Sequence, residues 1–186
     1  MEPDDRDETA DLVRRVKEGD QGAFNHLVHL HQEMIYRFCY RTLHRKQAAE
    51  DAAQDTFIKA YEKIKRLKNN AMFKTWLFSI ALNTCRDELR RTHKLVDLPE
   101  DDSSNVIQDK RETPEEEAGA NERKQAVIDG IRNLSHEHQE VVNLIHYQGM
   151  DYQEAADILD TPLGTVRSRL SRALKELGKG LEHLRR

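Results

Sequence analysis

The 186-residue chain carries 30 Lys and Arg against 34 Asp and Glu, a formal charge of −4, and is 37% apolar and 34% charged with four prolines. Such a composition suits a soluble, helix-rich protein of one or two small domains and disfavours a disordered chain or a β-sandwich. The mild negative charge also argues against a uniformly basic nucleic-acid binder, but the average conceals two opposite segments. Residues 97–117 hold nine acids against two bases, whereas 165–186 hold seven bases against two acids. Nothing at the N-terminus resembles a signal peptide, and no apolar run approaches the ~20 residues that span a bilayer. The two thiols, Cys39 and Cys85, lie within apolar helical patterns without a CxxC partner, which fits a reducing, cytoplasmic compartment and packing rather than redox switching.

Leu12, Val13 and Val16 form a helical stripe that stops at Gly19, after which Asp20 can cap a helix carrying Phe24, Leu27, Val28, Ile35 and Phe38 on one face. A third helix is expected over 46–66, with Ala53, Phe57, Ala60, Tyr61 and Ile64 inward and Glu50, Asp51, Gln54 and Asp55 on its other face. The stretch LKNNAM at 67–72 favours a turn. A fourth helix follows, with Phe73, Trp76, Leu77, Ile80, Ala81 and Thr84 on its buried side and a basic exit, RDELRRTHK. Asn83 lies within that apolar pattern, and a structural hydrogen bond and a base contact are equally good readings of a buried amide. From 94 to about 118 the periodicity gives way to an acidic, Ser- and Pro-containing segment, read as a flexible, self-repelling linker.

The second half opens with Val127, Ile131 and Leu134, and Ser135 can cap a helix through Tyr147 that buries Val141, Leu144 and Ile145 and ends at Gly149. Asp151 and Glu154 form a capping box for a short helix over 152–159, and Thr161 before Pro162 reads as the start of another. A short helix, a tight turn and a longer basic helix make a helix-turn-helix. With Ala155, Ala156, Leu159, Val166 and Leu170 inward, Thr165, Arg167, Ser168, Ser171 and Arg172 project outward. Arginine suits guanine edges in a duplex groove, and Ser, Thr and helix N-terminal amides suit phosphates. A solvated basic helix closing a bundle is the alternative that spacing leaves open.

The string TPLGTVRSRLSRALKEL, preceded by LSHEHQEVVNLIHYQGMDYQEAA, resembles the recognition segment of bacterial RNA polymerase sigma factors of the extracytoplasmic-function group. AEDAAQDTFIKAYEKI and FKTWLFSIALNTCRDELRR resemble that family's polymerase-binding and melting domain. The resemblance implies an all-α protein of two small domains: 1–94 (region 2), a linker over 95–122, and 123–186 (region 4). It implies that Thr165, Arg167, Ser168, Ser171 and Arg172 read the minus-35 duplex. It also implies that Asn69, Lys74, Asn83, Arg86, Arg90 and Arg91 capture the minus-10 element as single strand. Asp51, Gln54, Asp55 and Phe57 would dock on the coiled coil of the polymerase's largest subunit, with its flap region a further contact, and an anti-sigma factor would be the inhibitory partner. The turn departs from the family pattern, since Asp160 and Thr161 stand where Gly and an aliphatic residue are usual and Ser171 replaces a larger side chain. Asp tolerates a left-handed turn better than most residues.

Other chemistries have less support. Glu50, Asp51 and Asp55 read as a solvated or docking face rather than a metal site, because no matching ligand set follows. His26, His29 and His31, and the pair His136 and His138, lack HExxH spacing and read as surface histidines. No GxxxxGKS/T loop or GxSxG elbow is present, and no acid–base constellation marks an enzyme, so neither catalysis nor a cofactor is expected. A polymerase-independent helix-turn-helix regulator and a helical adaptor remain the rival readings.

Overall fold

The computed structural model describes residues 3–95 and 117–181. Its helices are α1 (Pro3–Lys17), α2 (Gln21–Leu43), α3 (Lys46–Lys63), α4 (Phe73–Leu95), α5 (Glu117–Arg132), α6 (His136–Val142), α7 (Tyr152–Leu159) and α8 (Leu163–Gly180). Short 3-10 turns at Ile64–Arg66 and Asn70–Met72 lie between α3 and α4, and a π-helical turn at Asn143–Tyr147 continues α6. Among the described residues every element is helical, as expected of an all-α chain. Contacts divide the chain into two compact units, Met1–Asp102 with Gln153–Asp160, and Ser103–Tyr152 with Thr161–Arg186.

The segment assigned to a linker, 95–122, is partly helical: α4 runs through Leu95 and α5 already begins at Glu117. The sequence from Glu117 is rich in helix formers. The rest of the acidic stretch, 96–116, lies outside the described residues.

In the first unit α1 ends at Gly19, whose φ of 103° suits only glycine. Asp20 then caps α2 as expected, its Oδ1 accepting from the Ala23 N–H at 3.1 Å. Arg15 donates to Asp20 Oδ2 at 2.7 Å, and this guanidinium, with the Ala23 N–H, holds the Asp20 carboxyl below its ordinary value. The core is built on Leu27, Ile35, Phe38, Phe73, Leu77 and Phe78, all fully buried, with the Phe38 and Phe78 rings edge to face at 5.2 Å. Each such side chain contributes roughly 1.5–3 kcal/mol relative to exposure.

The face that α3 buries includes Ala53 and Ala60 as expected, continues to Ile64 in the 3-10 turn after it, and departs at the two aromatics. Ala49, Ala52, Ala53, Thr56 and Ala60 are buried, whereas Phe57 is half-buried and Tyr61 is 47% exposed. Small side chains let this helix pack closely, and the aromatic residues are left at its edge. The Thr56 hydroxyl is satisfied by the Ala52 carbonyl at 2.7 Å. On α4 the buried stripe is wider than spacing indicates: Phe78, Leu82 and Cys85 join it, while Trp76 and Ile80 are half-buried. His31, expected at the surface, is buried on α2 at the i+4 position from Leu27, its ring 5.5 Å from that of Phe73.

In the second unit Ser135 precedes α6 but makes no side-chain cap bond. The Gln139 amide instead donates to the carbonyls of Arg132 (2.9 Å) and Leu134 (2.8 Å), tying the α5–α6 turn. The exit of α6 widens into the π turn, where the Gln148 N–H reaches Asn143 O at 3.1 Å, and Gly149 (φ 63°) then ends it. Val127, expected to open the core, is 36% exposed, and Ile131 and Ile145 are half-buried. The α8 cap also falls one residue later than expected. Pro162 rather than Thr161 takes the N-cap, its carbonyl accepting from Thr165 and Val166. Proline suits that place because it has no N–H to leave unpaired. Before it, Asp160 adopts φ 51° between α7 and α8, a left-handed conformation that Asp tolerates better than most residues.

Candidate nucleic-acid and docking faces

Helix α8 separates its residues cleanly. Val166, Leu170 and Ala173 are buried, while Arg167, Ser168, Ser171, Arg172 and Lys175 are exposed at spacings that make one outer face. Thr165, also expected there, is half-buried, and its carbonyl accepts from Ser168 Oγ at 3.0 Å. The Arg167 guanidinium lies 5.6 Å from the centroid of the Tyr152 ring, a cation–π geometry that narrows the orientations of this side chain. Arg169 has a different role, which its place in a basic run concealed: it is half-buried and bonds Glu137 of α6 at 2.9 Å. His138, expected at the surface, has a largely covered side chain and bonds Glu176 at 3.2 Å, so α6 and α8 are tied twice.

The single-strand candidates lie along α4 and the loop before it. Asn69, Asn83, Arg90 and Arg91 are exposed, and Lys74 and Arg86 are half-buried. The exposure of Asn83 removes the buried-amide reading and puts it on an outer stripe with Trp76, Ile80, Asp87 and Arg90, at steps of three and four residues. Arg90 shares its charge with Asp87 at 2.7 Å. Of the two aromatic residues expected in the core, Phe73 is fully buried, and Trp76 keeps part of its ring at the surface. From Lys74 to Arg91 the helix rises roughly 25 Å, so these groups form a track rather than a pocket.

A groove of about 760 Å³ opens between α2 and α3. Phe24, Val28, Tyr36, Phe57, Ile58 and Tyr61 supply its apolar lining, and Glu33, Glu50 and Glu62 add acids. Phe24 and Tyr61 pack edge to face at 4.8 Å. Burial, with the charge of Glu50, pushes the Tyr36 phenol above its ordinary value. Of the four polymerase-docking candidates, Gln54 and Phe57 line this groove, whereas Asp51 and Asp55 are exposed on α3 and are not part of its lining. The groove escapes sequence reading because the spacing of Phe57 and Tyr61 assigns both to the core. The edge position of Ile58, 49% exposed, is the signal that spacing omits.

Two family models match the chain in order: Sigma-70 region 2 over residues 27–95 and Sigma-70 region 4 over 124–177. The chain belongs to the sigma-70 family of sigma factors. The ECF RNA polymerase sigma-E factor of Haemophilus influenzae is 34% identical, over 93% of this chain and 95% of its own length. The ECF RNA polymerase sigma factor SigW of Bacillus subtilis is 32% identical, over 92% and 96%. Among solved structures, the sigma factor RpoE of Bartonella quintana, in complex with the anti-sigma factor NepR, matches with a TM-score of 0.70 at 26% identity, covering 86% of this chain and 96% of that one. CnrH, in complex with the cytosolic domain of CnrY, shares the fold, with a TM-score of 0.71 at 24% identity over 95% and 98%. In this sigma factor the region 2 match takes in most of α2 and all of α3 and α4, leaving α1 outside it. No described helix is long and apolar enough to cross a membrane.

Proposed function

We propose that this sigma factor divides promoter recognition between two helix faces. As a member of its family it binds core RNA polymerase and directs promoter-specific initiation. Arg167, Ser168, Ser171 and Arg172 of α8, with Thr165 at their edge, read the minus-35 duplex. Asn69, Lys74, Asn83, Arg86, Arg90 and Arg91 hold the minus-10 element as single strand, and the half-exposed Trp76 adds a stacking surface. Gln54 and Phe57, flanked by Asp51 and Asp55, dock on the polymerase's largest subunit. On this reading 1–94 and 123–186 act as regions 2 and 4 in the cytoplasm, and the protein works by binding energy without a reaction of its own.

The observation that carries the reading is the exposed α8 face, where arginines alternate with short hydroxyl side chains inside a region 4 match. Bidentate arginine contacts to bases and hydroxyl contacts to phosphate are the chemistry of duplex readout. An anti-sigma partner would restrain the protein by covering the apolar α2–α3 groove, and the RpoE–NepR complex is a precedent among its structural relatives.

Run-off transcription from a promoter library, with purified core polymerase, tests the central claim. Specific transcripts only when the protein is added establish promoter selection; DNA binding without initiation would favour a polymerase-independent regulator. For the inhibitor, affinity capture from the native host should recover a partner that Ile58→Asp loses. Recovery of polymerase alone in every growth condition would remove that part of the reading.

A further inference from the structure

We propose that Lys17, at the end of α1, is a positioning residue for single-strand recognition: it braces the loop that presents Asn69 and leads into α4. The inference rests on the assignment of that loop to minus-10 capture and adds a residue outside the region 2 match.

The loop from Leu67 to Met72 must expose polar side chains and still hold them in one geometry. Its internal bonds shape it: Asn69 Oδ1 accepts from the Ala71 N–H at 3.1 Å, and Asn69 O accepts from the Met72 N–H at 3.1 Å. Those bonds close a turn without attaching it to the body of the unit. The side chains of Leu67 and Phe73 anchor its two ends by burial. Between them the attachment is polar and comes from α1. The Lys17 ammonium donates to Leu67 O at 2.5 Å and to Asn70 Oδ1 at 2.6 Å, and Asn70 Nδ2 donates to Ala10 O at 3.4 Å.

Asn69 is therefore bracketed by two residues held by one cation. Charge-assisted bonds to a carbonyl and an amide oxygen are stronger than neutral ones, and they are half-buried here, where water competes less. The brace has a fixed base, because Thr9, Leu12, Val13 and Val16 are buried and hold α1 against the unit. With its ammonium engaged by loop acceptors, Lys17 acts on the strand through Asn69 rather than as a phosphate contact. Losing the brace frees the loop to sample other conformations, and binding is weakened by the fraction of time the competent one is lost.

The test uses holoenzyme, the full chain on core polymerase, and a single-stranded DNA pool randomised at the minus-10 positions. Lys17→Met keeps the stem and removes the donor. It should weaken the preferred strand about tenfold and flatten the sequence preference, with the slope of log affinity against log salt unchanged. Lys17→Arg, which keeps the charge and donors, should restore much of the loss. Asn70→Ala should act in the same direction and add little to Lys17→Met.

A slope shallower by about 0.7 would make Lys17 a direct phosphate contact and overturn the brace. A binding loss that follows the folded fraction in thermal melts, without rescue by Lys17→Arg, would reduce the residue to a structural one and overturn it too. If Asn69→Ala costs binding while Lys17→Met and Asn70→Ala do not, the brace is wrong and the strand-capture reading stands. If Asn69→Ala and Lys74→Ala are both silent, the strand-capture reading itself fails and takes the brace with it.

Discussion

The outer faces of α4 and α8 both set basic side chains on a helix, and they differ in what stands between them. On α8 the intervening side chains are short, Ser168 and Ser171, with Gly164 open at the start, which on the proposed reading lets the backbone approach a groove closely and leaves the base contacts to the long arginines. On α4 the residues between Lys74 and Arg86 include Trp76, Ile80 and Asn83, a broad surface that on the same reading takes an unstacked base rather than a duplex groove. Charge follows the same division: Arg90 is partly neutralised by Asp87, whereas the one acid of α8, Glu176, is turned to His138. On the proposed reading, similar net composition thus serves two nucleic-acid forms through the size of the residues between the cations.

Crossed losses would sharpen that comparison most. Arg167→Ala with Arg172→Ala should weaken minus-35 duplex binding by about a hundredfold or more, at roughly 1–3 kcal/mol for each base contact, and leave single-strand affinity unchanged. Anisotropy titrations across a salt series measure both, and an unchanged duplex affinity would break the comparison at α8. Trp76→Ala should do the reverse, costing roughly 1–3 kcal/mol of strand binding with duplex affinity intact. Because Trp76 is the only tryptophan, quenching of its fluorescence by a minus-10 strand should report the stacking directly, and Trp76→Phe should retain most of the affinity.

Smaller effects test the frames that hold each face. Asp160→Val, at φ 51°, should cost about 1–2 kcal/mol of stability in denaturant melts, and Asp160→Gly should be neutral or slightly favourable. Equal melts for both would mean that the turn before α8 relaxes freely. At the α1–α2 junction, the Asp20 carboxyl has a lowered folded-state value, so its contribution is present above the ordinary value of 3.8 and is lost as pH falls through the depressed one. Asp20→Asn, still a good cap, should therefore melt lower than wild type at neutral pH and converge with it in strong acid. A gap that persists in acid would point to packing instead of charge.

The helical stripes of Leu12, Val13 and Val16, of Leu27, Ile35 and Phe38, and of Val166 and Leu170 were legible because period and burial agree there. The register of α3 was legible only in part: Ala53, Ala60 and, just beyond the helix, Ile64 are buried as read, but Phe57 and Tyr61 were drawn inward because two aromatics are more conspicuous than the alanines that make the closer packing. His31 was legible in principle, one turn from Leu27 on a buried stripe, but its residue type suggested the surface. The outer face of α8 was read almost whole from spacing, because the face of a single helix is local in sequence. The α2–α3 groove and the Lys17 brace were beyond spacing: both depend on residues from separate helices, and Lys17 meets its acceptors 50 and 53 positions away.

The π turn at Asn143–Tyr147 gives a residue-count difference an unusual meaning. It fits one more residue into a turn than an α-helix would. Deleting a residue there would restore ordinary winding and leave the residues beyond the turn on nearly the same side, because the wide turn and the ordinary one each close about one revolution. A one-residue alignment gap at this place between the chain and a relative would therefore be absorbed inside the helix, with the residues after Tyr147 keeping their side, rather than record a change in loop length.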